Sequence, residues 1–252
     1  MADRTSYLPG TPSFVDIGSP DVNAAAAFYG ALFGWGHNDL GPDAGGYGML
    51  TMRGRSVAGI GPQQNPDMPP HWTVYVTVAD ADASAAKVTA AGGTVVVPAM
   101  DVLDAGRMAV CQDPTGSFFS IWQAKESIGC EIVNEPGSFC WNELATTDLT
   151  TASAFYTAVF DWGTDPGYDG ASAAAYTVGG EMVCGAHVAG EGEFPAWSVW
   201  FAVEDCEASA AKVAELGGSV FVAPNDMGFG IGAVVADPHG AVFGIAKLHA
   251  PA

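Results

Sequence analysis

Two carboxylic acids, Asp16 and Glu143, occupy matching positions in two copies of one long sequence pattern, and such acids can transfer protons. Phe14 stands two residues before the first acid, and Trp141 stands two residues before the second. Because strand side chains alternate between faces, each acid would share a face with its aromatic neighbour. Aromatic surroundings raise a carboxyl pKa, which suits a general acid or base. The alternative is an exposed acid, or one hydrogen-bonded to the backbone, without a catalytic role.

Histidines and cysteines form no comparable pattern. No two of the five histidines have the spacing of a metal site. The five cysteines are odd in number and lack C-x-x-C spacing, so we expect reduced thiols.

The two copies run from Pro12 to Trp35 and from Ser138 to Trp162, and the two acids lie 127 residues apart. The similarity continues through residues 71–80 and 196–205, Gly92-Gly93 and Gly217-Gly218, and D-P-x-G at 113–116 and 237–240. A period this long indicates two whole domains related by duplication. At 252 residues, each domain has enough chain for a core of its own.

Each copy begins with a predicted strand and a predicted helix. Apolar residues recur at helical spacing from Ala25 to Phe33, after Ser19-Pro20-Asp21, where we expect Pro20 at the first helical position; Gly34 ends the helix. The remaining pattern of domain one predicts a helix over 82–91 and strands near 47–52, 55–61, 71–79, 94–98, 107–111 and 117–123. The order predicts an α+β fold of two tandem domains, each made of two βαβββ units.

The predicted domain boundaries follow from these elements. Residues 1–10 form a tail, 11–124 the first domain, 125–136 a linker and 137–248 the second domain.

Composition excludes several classes of partner. The net charge is −20 with eight Lys and Arg, which excludes binding to a phosphate backbone. No apolar run approaches the length of a membrane span, so no membrane partner is expected. The first residues lack an apolar signal core, so we expect a cytoplasmic protein.

Taken together, the F-Y-x-x-x-F-x-W helix, the alternating strand ending in an acid, the G-G pair and the D-P-x-G turn resemble the vicinal oxygen chelate superfamily. That superfamily includes glyoxalase I, bleomycin-resistance proteins and extradiol dioxygenases. The resemblance covers residues 11–247 and is greatest to a tandem-domain actinobacterial branch labelled as antibiotic-resistance proteins or hydroxylases. It implies a curved mixed sheet around a ligand cavity, with the helices outside.

The resemblance also locates the positions at which metal-dependent members carry ligands. These are Phe14, Thr73 and Ser120 in domain one, and Trp141, Ser198 and Gly244 in domain two. None of the six is a strong ligand for zinc, iron or nickel. On the fourth strand, His187 is the single candidate, and one imidazole makes no site. We therefore expect no metal and no other cofactor.

Strand alternation then assigns the side chains that face each cavity. The predicted ligand-binding residues are Phe14, Thr73, Tyr75, Ser120 and Trp122 in domain one, and Trp141, Ser198 and Trp200 in domain two. Aromatic walls suit planar hydrophobic ligands, although the same side chains could simply fill the sheet as core. Asn142 is the main residue that disagrees with the alternation.

Arg107 is a further candidate, because it is one of few cations and domain two has Ile231 at its position. It would either pair with Asp101 or Asp104, or anchor a ligand in domain one. The glycines of residues 228–232 precede a predicted strand and do not open a helix, so a nucleotide site is not indicated.

These observations predict a metal-independent protein that binds a small aromatic or polyketide-like molecule, for sequestration of an antibiotic or natural product or in support of its tailoring. The alternative is a metal-free enzyme of the hydroxylase, lyase or isomerase type that uses Asp16 or Glu143. A third alternative is a structural or regulatory protein with packed cavities. A monomer or a homodimer fits the tandem arrangement.

Overall fold

The structure is a computed structural model that describes residues 3–165 and 170–249. Domain one contains β1 (Pro12–Ser19), α1 (Val22–Phe33), β2 (Gly36–Asp39), β3 (Gly48–Met52), β4 (Arg55–Pro62), β5 (His71–Thr77), α2 (Ala81–Ala90), β6 (Thr94–Val102), β7 (Gly106–Gln112) and β8 (Phe118–Ala124). Domain two contains β9 (Phe139–Thr146), α3 (Leu149–Phe160), β10 (Gly163–Thr164), β11 (Ala173–Val178), β12 (Glu181–Val188), β13 (Ala196–Ala202), α4 (Cys206–Glu215), β14 (Ser219–Asp226), β15 (Gly230–Ala236) and β16 (Val242–Leu248). None of the described helices is long and apolar enough to cross a lipid bilayer.

Each domain forms one mixed sheet of eight described strands. The strand order is β2-β3-β4-β1-β5-β8-β7-β6 in domain one and β10-β11-β12-β9-β13-β16-β15-β14 in domain two. The two βαβββ units of domain one meet where β1 pairs with β5 antiparallel, while β1–β4 and β5–β8 are parallel. The predicted α+β fold of two tandem domains is confirmed.

An aspartate caps the start of each of the four described α-helices. Asp21, Asp80, Asp148 and Asp205 each accept a hydrogen bond from the backbone N–H three residues later. The prediction that Pro20 opens the first helix is wrong, because α1 begins at Val22 and Pro20 lies before the cap. Gly34 ends α1 with a φ of 76°, a left-handed conformation that glycine adopts without steric cost.

The aromatic residues of α1 and α3 pack into the opposite domain. The ring of Phe33 lies 5.2 Å from that of Phe201, and the ring of Tyr29 lies 5.6 Å from that of Phe243. In the reciprocal contact, the Tyr156 ring lies 5.5 Å from that of Phe119. The buried residues form one cluster that crosses both domains, so the two sheets share a core.

Two hydrogen bonds from tryptophan side chains to backbone carbonyl oxygens also stabilise the interface between the domains. The indole N–H of Trp35 donates to the carbonyl oxygen of Gly137 at 2.6 Å, and that of Trp162 donates to Gly10 at 2.7 Å. The residues before β1 and before β9 are therefore bound to the tryptophan that follows the helix of the opposite domain. Within residues 3–10, the predicted tail thus contributes to the interface.

Candidate functional site

The two faces of each sheet differ as strand alternation predicts. We call the face that bears Phe14 and Tyr75 in domain one, and Trp141 and Trp200 in domain two, the cavity face. The opposite face, the helix face, carries buried core residues: Val15, Ile17, Val74, Val76, Phe119, Ile121, Leu144, Val199, Phe201, Phe243 and Ile245. Asn142 lies on this helix face, fully buried, and its amide nitrogen and oxygen have no hydrogen-bond partner among the described residues.

In domain one, the predicted site residues on the cavity face lie close together, but they pack against one another and leave no open space between them. The Tyr75 ring lies 5.5 Å from that of Phe14 and 6.4 Å from that of Trp122, and all three side chains are buried. Ser120, also buried, is paired with Tyr75 across β5 and β8, and Thr73 is paired with Asp16 across β1 and β5. The domain-one set therefore lies together as predicted, but as tightly packed side chains.

Tyr47, which sequence reasoning missed, explains much of this packing. Its ring lies directly over Gly59 and Gly61, where any larger residue would collide with it, and Trp122 covers Gly106 in the same way. Both large rings thus occupy the space above the sheet that an open cavity would need.

The residues after β8 close the same region. The indole N–H of Trp122 donates to the carbonyl oxygen of Ser127 at 2.9 Å, and the backbone N–H of Cys130 donates to Ser13 at 2.8 Å. Gly129 lies so close to Ser13 and Phe14 that it has no room for a side chain. The predicted linker therefore packs against domain one at the start of β1.

Asp16 accepts hydrogen bonds from two tyrosines within this packed region. The hydroxyl of Tyr75 lies 2.8 Å from its Oδ2, and that of Tyr47 lies 2.9 Å away. Burial raises the pKa of Asp16 above its ordinary value, while the hydrogen bonds from Tyr75, Tyr47 and Thr73 lower it in part. Asp16 is thus a structural hydrogen-bond acceptor in this geometry.

Domain two has an open cavity of about 460 Å³ on its cavity face. Three aromatic side chains line it, those of Trp141, Trp200 and Phe229, and the Trp200 and Phe229 rings are perpendicular at 5.8 Å. Among the described residues that line it, Glu143 is the only one with a charged side chain. The volume and the largely apolar wall are typical of a small-molecule site.

Small residues open the cavity at the positions where domain one carries large ones. The strand registers place Ala173 at the position of Tyr47, because Ala174 pairs with Ala186 as Gly48 pairs with Ile60. The same comparison places Ala246 at the position of Trp122. The alanines at positions 173 and 246, in place of a tyrosine and a tryptophan, therefore account for the cavity space in domain two.

Trp200 lies flat on the sheet beside this space. Its indole covers Gly244, so any larger residue at 244 would collide with it. Gly244 corresponds to Ser120 of domain one, and the indole N–H of Trp200 donates to the Ser198 hydroxyl at 3.2 Å. Ser198 in turn donates to the backbone oxygen of Glu143 at 3.1 Å.

Glu143 is held at the cavity wall by two donors. The indole N–H of Trp141 donates to Oε2 at 2.9 Å, and Nδ1 of His187 donates to Oε1 at 3.2 Å. The second imidazole nitrogen donates to Glu193 at 3.0 Å. The pKa of His187 is raised to about 9, mainly by the hydrogen bond with Glu143, although partial burial of the imidazole lowers it. At neutral pH the imidazole is therefore a cation between two carboxylates.

Arg107 does not join the cavity residues. Its guanidinium forms a bidentate pair with Asp82 of α2, at 2.8 and 2.9 Å, and reaches Asp101 at 3.5 Å. Gly106 faces the Trp122 ring on the cavity face, so alternation turns Arg107 to the helix face. The expected pairing with Asp101 is present, Asp82 is an additional partner, and the ligand-anchoring alternative has no support from this geometry.

The cysteines are free thiols, as expected from their number and spacing. Cys140 lines the domain-two cavity, but burial raises the pKa of its thiol to about 12. It is therefore a protonated, weakly nucleophilic group at neutral pH.

The cavity faces do not fit a catalytic metal ion. Thr73, Ser120, Ser198 and Gly244 offer at most a hydroxyl, and Phe14 and Trp141 offer aromatic rings. In domain two, the imidazole of His187 is engaged by Glu143 and Glu193. Within residues 3–165 and 170–249, no three His, Cys, Asp or Glu side chains are placed so that they could hold a metal ion.

Comparison with known proteins agrees with the duplicated fold. The family model described as "Glyoxalase-like domain" matches twice, at residues 14–122 and 140–246. Among solved structures, the Mn(II)-bound glyoxalase from Novosphingobium aromaticivorans has a TM-score of 0.68 at 17% identity, over 95% of this chain and 82% of that one. The 2,3-dioxygenase LapB from Pseudomonas sp. KL28 has the same TM-score at 15% identity, over 96% and 93% of the two chains.

Two curated relatives match along nearly their whole length. "Putative glyoxylase CFP32" of Mycobacterium tuberculosis is 43% identical over 260 residues, covering 98% of each chain. "Anthracycline biosynthesis protein DauV" of Streptomyces sp. strain C5 is 39% identical over 262 residues, covering 97% of this chain and 95% of its own. With both domains matched, the chain belongs to the Glyoxalase-like domain family and has the vicinal oxygen chelate fold.

Proposed function

We propose that the protein binds a flat, hydrophobic aromatic molecule in the domain-two cavity without a metal ion, to sequester an antibiotic or natural product or to support its tailoring. The observation that carries the proposal is the contrast between the domains: domain two has a cavity of about 460 Å³ lined by Trp141, Trp200 and Phe229. Domain one fills the same space with its own side chains. Planar apolar ligands gain most from such aromatic walls.

One curated relative supports the class of ligand. DauV is named for anthracycline biosynthesis, and anthracyclines are polycyclic aromatic compounds. The free cysteines support a reducing compartment, and we place the protein in the cytoplasm.

The direct test is equilibrium binding of an anthraquinone probe, followed by quenching of tryptophan fluorescence and by calorimetry. We expect one molecule bound per chain. Ala173→Tyr and Ala246→Trp install the large side chains that domain one carries at these positions, and each should weaken binding at least about tenfold by removing the space. Ala86→Tyr, on the exposed surface of α2, is the matched control and should leave affinity unchanged. Full affinity in both cavity variants, or no binding by the wild type, would exclude the proposal.

Metal independence has its own test. We expect dialysis against a chelator to leave the affinity unchanged, and added Mn²⁺ or Zn²⁺ not to raise it, because the residues at the family's ligand positions are not metal donors. A chelator-sensitive affinity would contradict this part of the proposal.

A metal-free enzyme remains the second candidate, and one observation favours Glu143 over Asp16 in it. Glu143 lines the open cavity, whereas Asp16 lies among packed tyrosines. A ligand recovered unchanged after prolonged incubation supports binding alone. A modified product that is lost in Glu143→Gln supports the enzyme.

A further inference from the structure

We infer that the domain-two cavity selects an aromatic ligand that carries a hydrogen-bond donor, best a positively charged one, and rejects an analogue that carries a carboxylate. The inference rests on the proposed function and adds the chemistry of the ligand's polar group. It follows from an inventory of the donors and acceptors at the cavity wall.

The side-chain donors at the wall are already engaged within the protein. The indole N–H of Trp141 donates to Glu143, and that of Trp200 donates to Ser198. The Ser198 hydroxyl donates to the backbone oxygen of Glu143, and the Cys140 thiol donates to that of Trp200 at 3.4 Å. A ligand carbonyl or carboxylate would therefore have to break one of these bonds to gain a donor, at a cost of about 1–3 kcal/mol for the group left unpaired.

The carboxylate of Glu143, by contrast, can accept further hydrogen bonds. A carboxylate has about four lone-pair positions, and Trp141 and His187 use one each. The carboxylate lies against Gly185, which lines the cavity and is paired with Glu143 between β9 and β12. About a quarter of the Glu143 side chain is exposed (26%), so a ligand donor can reach it.

The surrounding charges favour the same ligand. One imidazolium, His187, is shared by Glu143 at the wall and Glu193 behind it, which leaves one negative charge in excess in this group of three side chains. No lysine or arginine is among the described residues that line the cavity, and the chain as a whole carries −20. An anionic ligand meets repulsion here without a compensating cation, while an ammonium group gains a charge-assisted hydrogen bond.

The test uses three probes on one ring system: 2-(aminomethyl)anthracene, 2-(hydroxymethyl)anthracene and anthracene-2-carboxylate. Their dissociation constants are measured by fluorescence and calorimetry at neutral pH. We expect the ammonium probe to bind tightest, the alcohol next and the carboxylate at least about tenfold more weakly than the ammonium. Glu143→Gln should bring the ammonium and carboxylate affinities close together.

Glu193→Gln is the matched control, because it removes the same charge from the same histidine but lies outside the described lining. It should keep the preference for the ammonium probe, which separates a contact at Glu143 from the overall negative field. Equal affinities for the three probes, tighter binding of the carboxylate, or an unchanged preference in Glu143→Gln would overturn this inference alone. Failure of all three probes to bind would overturn the proposed function together with it.

Discussion

The hydroxyl of Tyr29 in domain one donates a hydrogen bond to Oδ2 of Asp237 in domain two, at 3.1 Å. The buried indole N–H of Trp72 donates to the same hydroxyl at 3.2 Å. Domain two returns the contact through Tyr156 and Asp113, at 2.9 Å. The F-Y helix motif of each domain is therefore joined to the D-P-x-G turn of the other.

Tyr29→Phe should lower the free energy of unfolding by about 1–3 kcal/mol, because it leaves a buried carboxylate oxygen and the Trp72 N–H without this partner. Denaturant unfolding measures the change. Tyr156→Phe is the symmetric counterpart and should cost a similar amount. A loss below about 0.5 kcal/mol in both variants would show that these bonds do not stabilise the interface.

Asn142→Val should raise the free energy of unfolding by about 1–3 kcal/mol. The buried amide has no partner in the described structure, and domain one has Val15 at the corresponding position. Thermal and denaturant unfolding measure the gain, with Val15→Asn as the reverse change, which should destabilise. A destabilised Asn142→Val variant would mean that the amide has a partner after all.

Trp122→Ala should open a cavity in domain one, since domain two has Ala246 at this position. The lost packing should cost about 3–5 kcal/mol of stability, as for other buried aromatic truncations. Because Tyr47 still covers Gly59 and Gly61 in this variant, calorimetry should detect a second molecule of the anthraquinone probe per chain only in the Tyr47→Ala, Trp122→Ala double variant, if that variant stays folded. Unchanged stability would contradict the packed state of domain one.

His187 should titrate in the folded protein with a pKa of about 9, above its ordinary value of 6.5. The raised pKa means that the ion pairs of His187 contribute full stability below pH 6.5 and lose it as the pH rises through about 9. NMR titration gives the pKa, and the stability difference between wild type and His187→Gln should shrink over that range. Glu143→Gln should lower the His187 pKa, because it removes the largest cause of the shift. A pKa near 6.5 in the wild type would disprove the coupling.

Sequence alone predicted the fold and, apart from Arg107, the face of the candidate cavity residues, because side chains alternate along a strand with a period of two residues. The same period, applied to Arg107, would have turned it to the helix face beside Asp82. The strand β2 was missed because its four residues are all exposed and show no alternation. The strand β6 was predicted to end at residue 98, yet it continues to Val102 through two register shifts.

The location of the open cavity was beyond sequence reasoning. It depends on Tyr47, which precedes β3 and covers two glycines of β4. The difference between Tyr47 and Ala173 is visible in the sequence, but only the strand register shows that the two residues occupy equivalent positions in their sheets. Phe229 and Met182 also line the cavity and were missed, because Phe229 lies between β14 and β15 and the sequence pattern assigned no face to the strand of Met182, β12.

The shared core of the two domains has an evolutionary consequence. In a homodimer, every substitution is present in both subunits. A substitution that opens a cavity in one subunit therefore opens the same cavity in the other and lowers the stability of both. Fusion of the halves into one polypeptide removes that constraint. One domain can then keep large side chains that stabilise the shared core. The other domain can carry smaller side chains that leave space for a ligand.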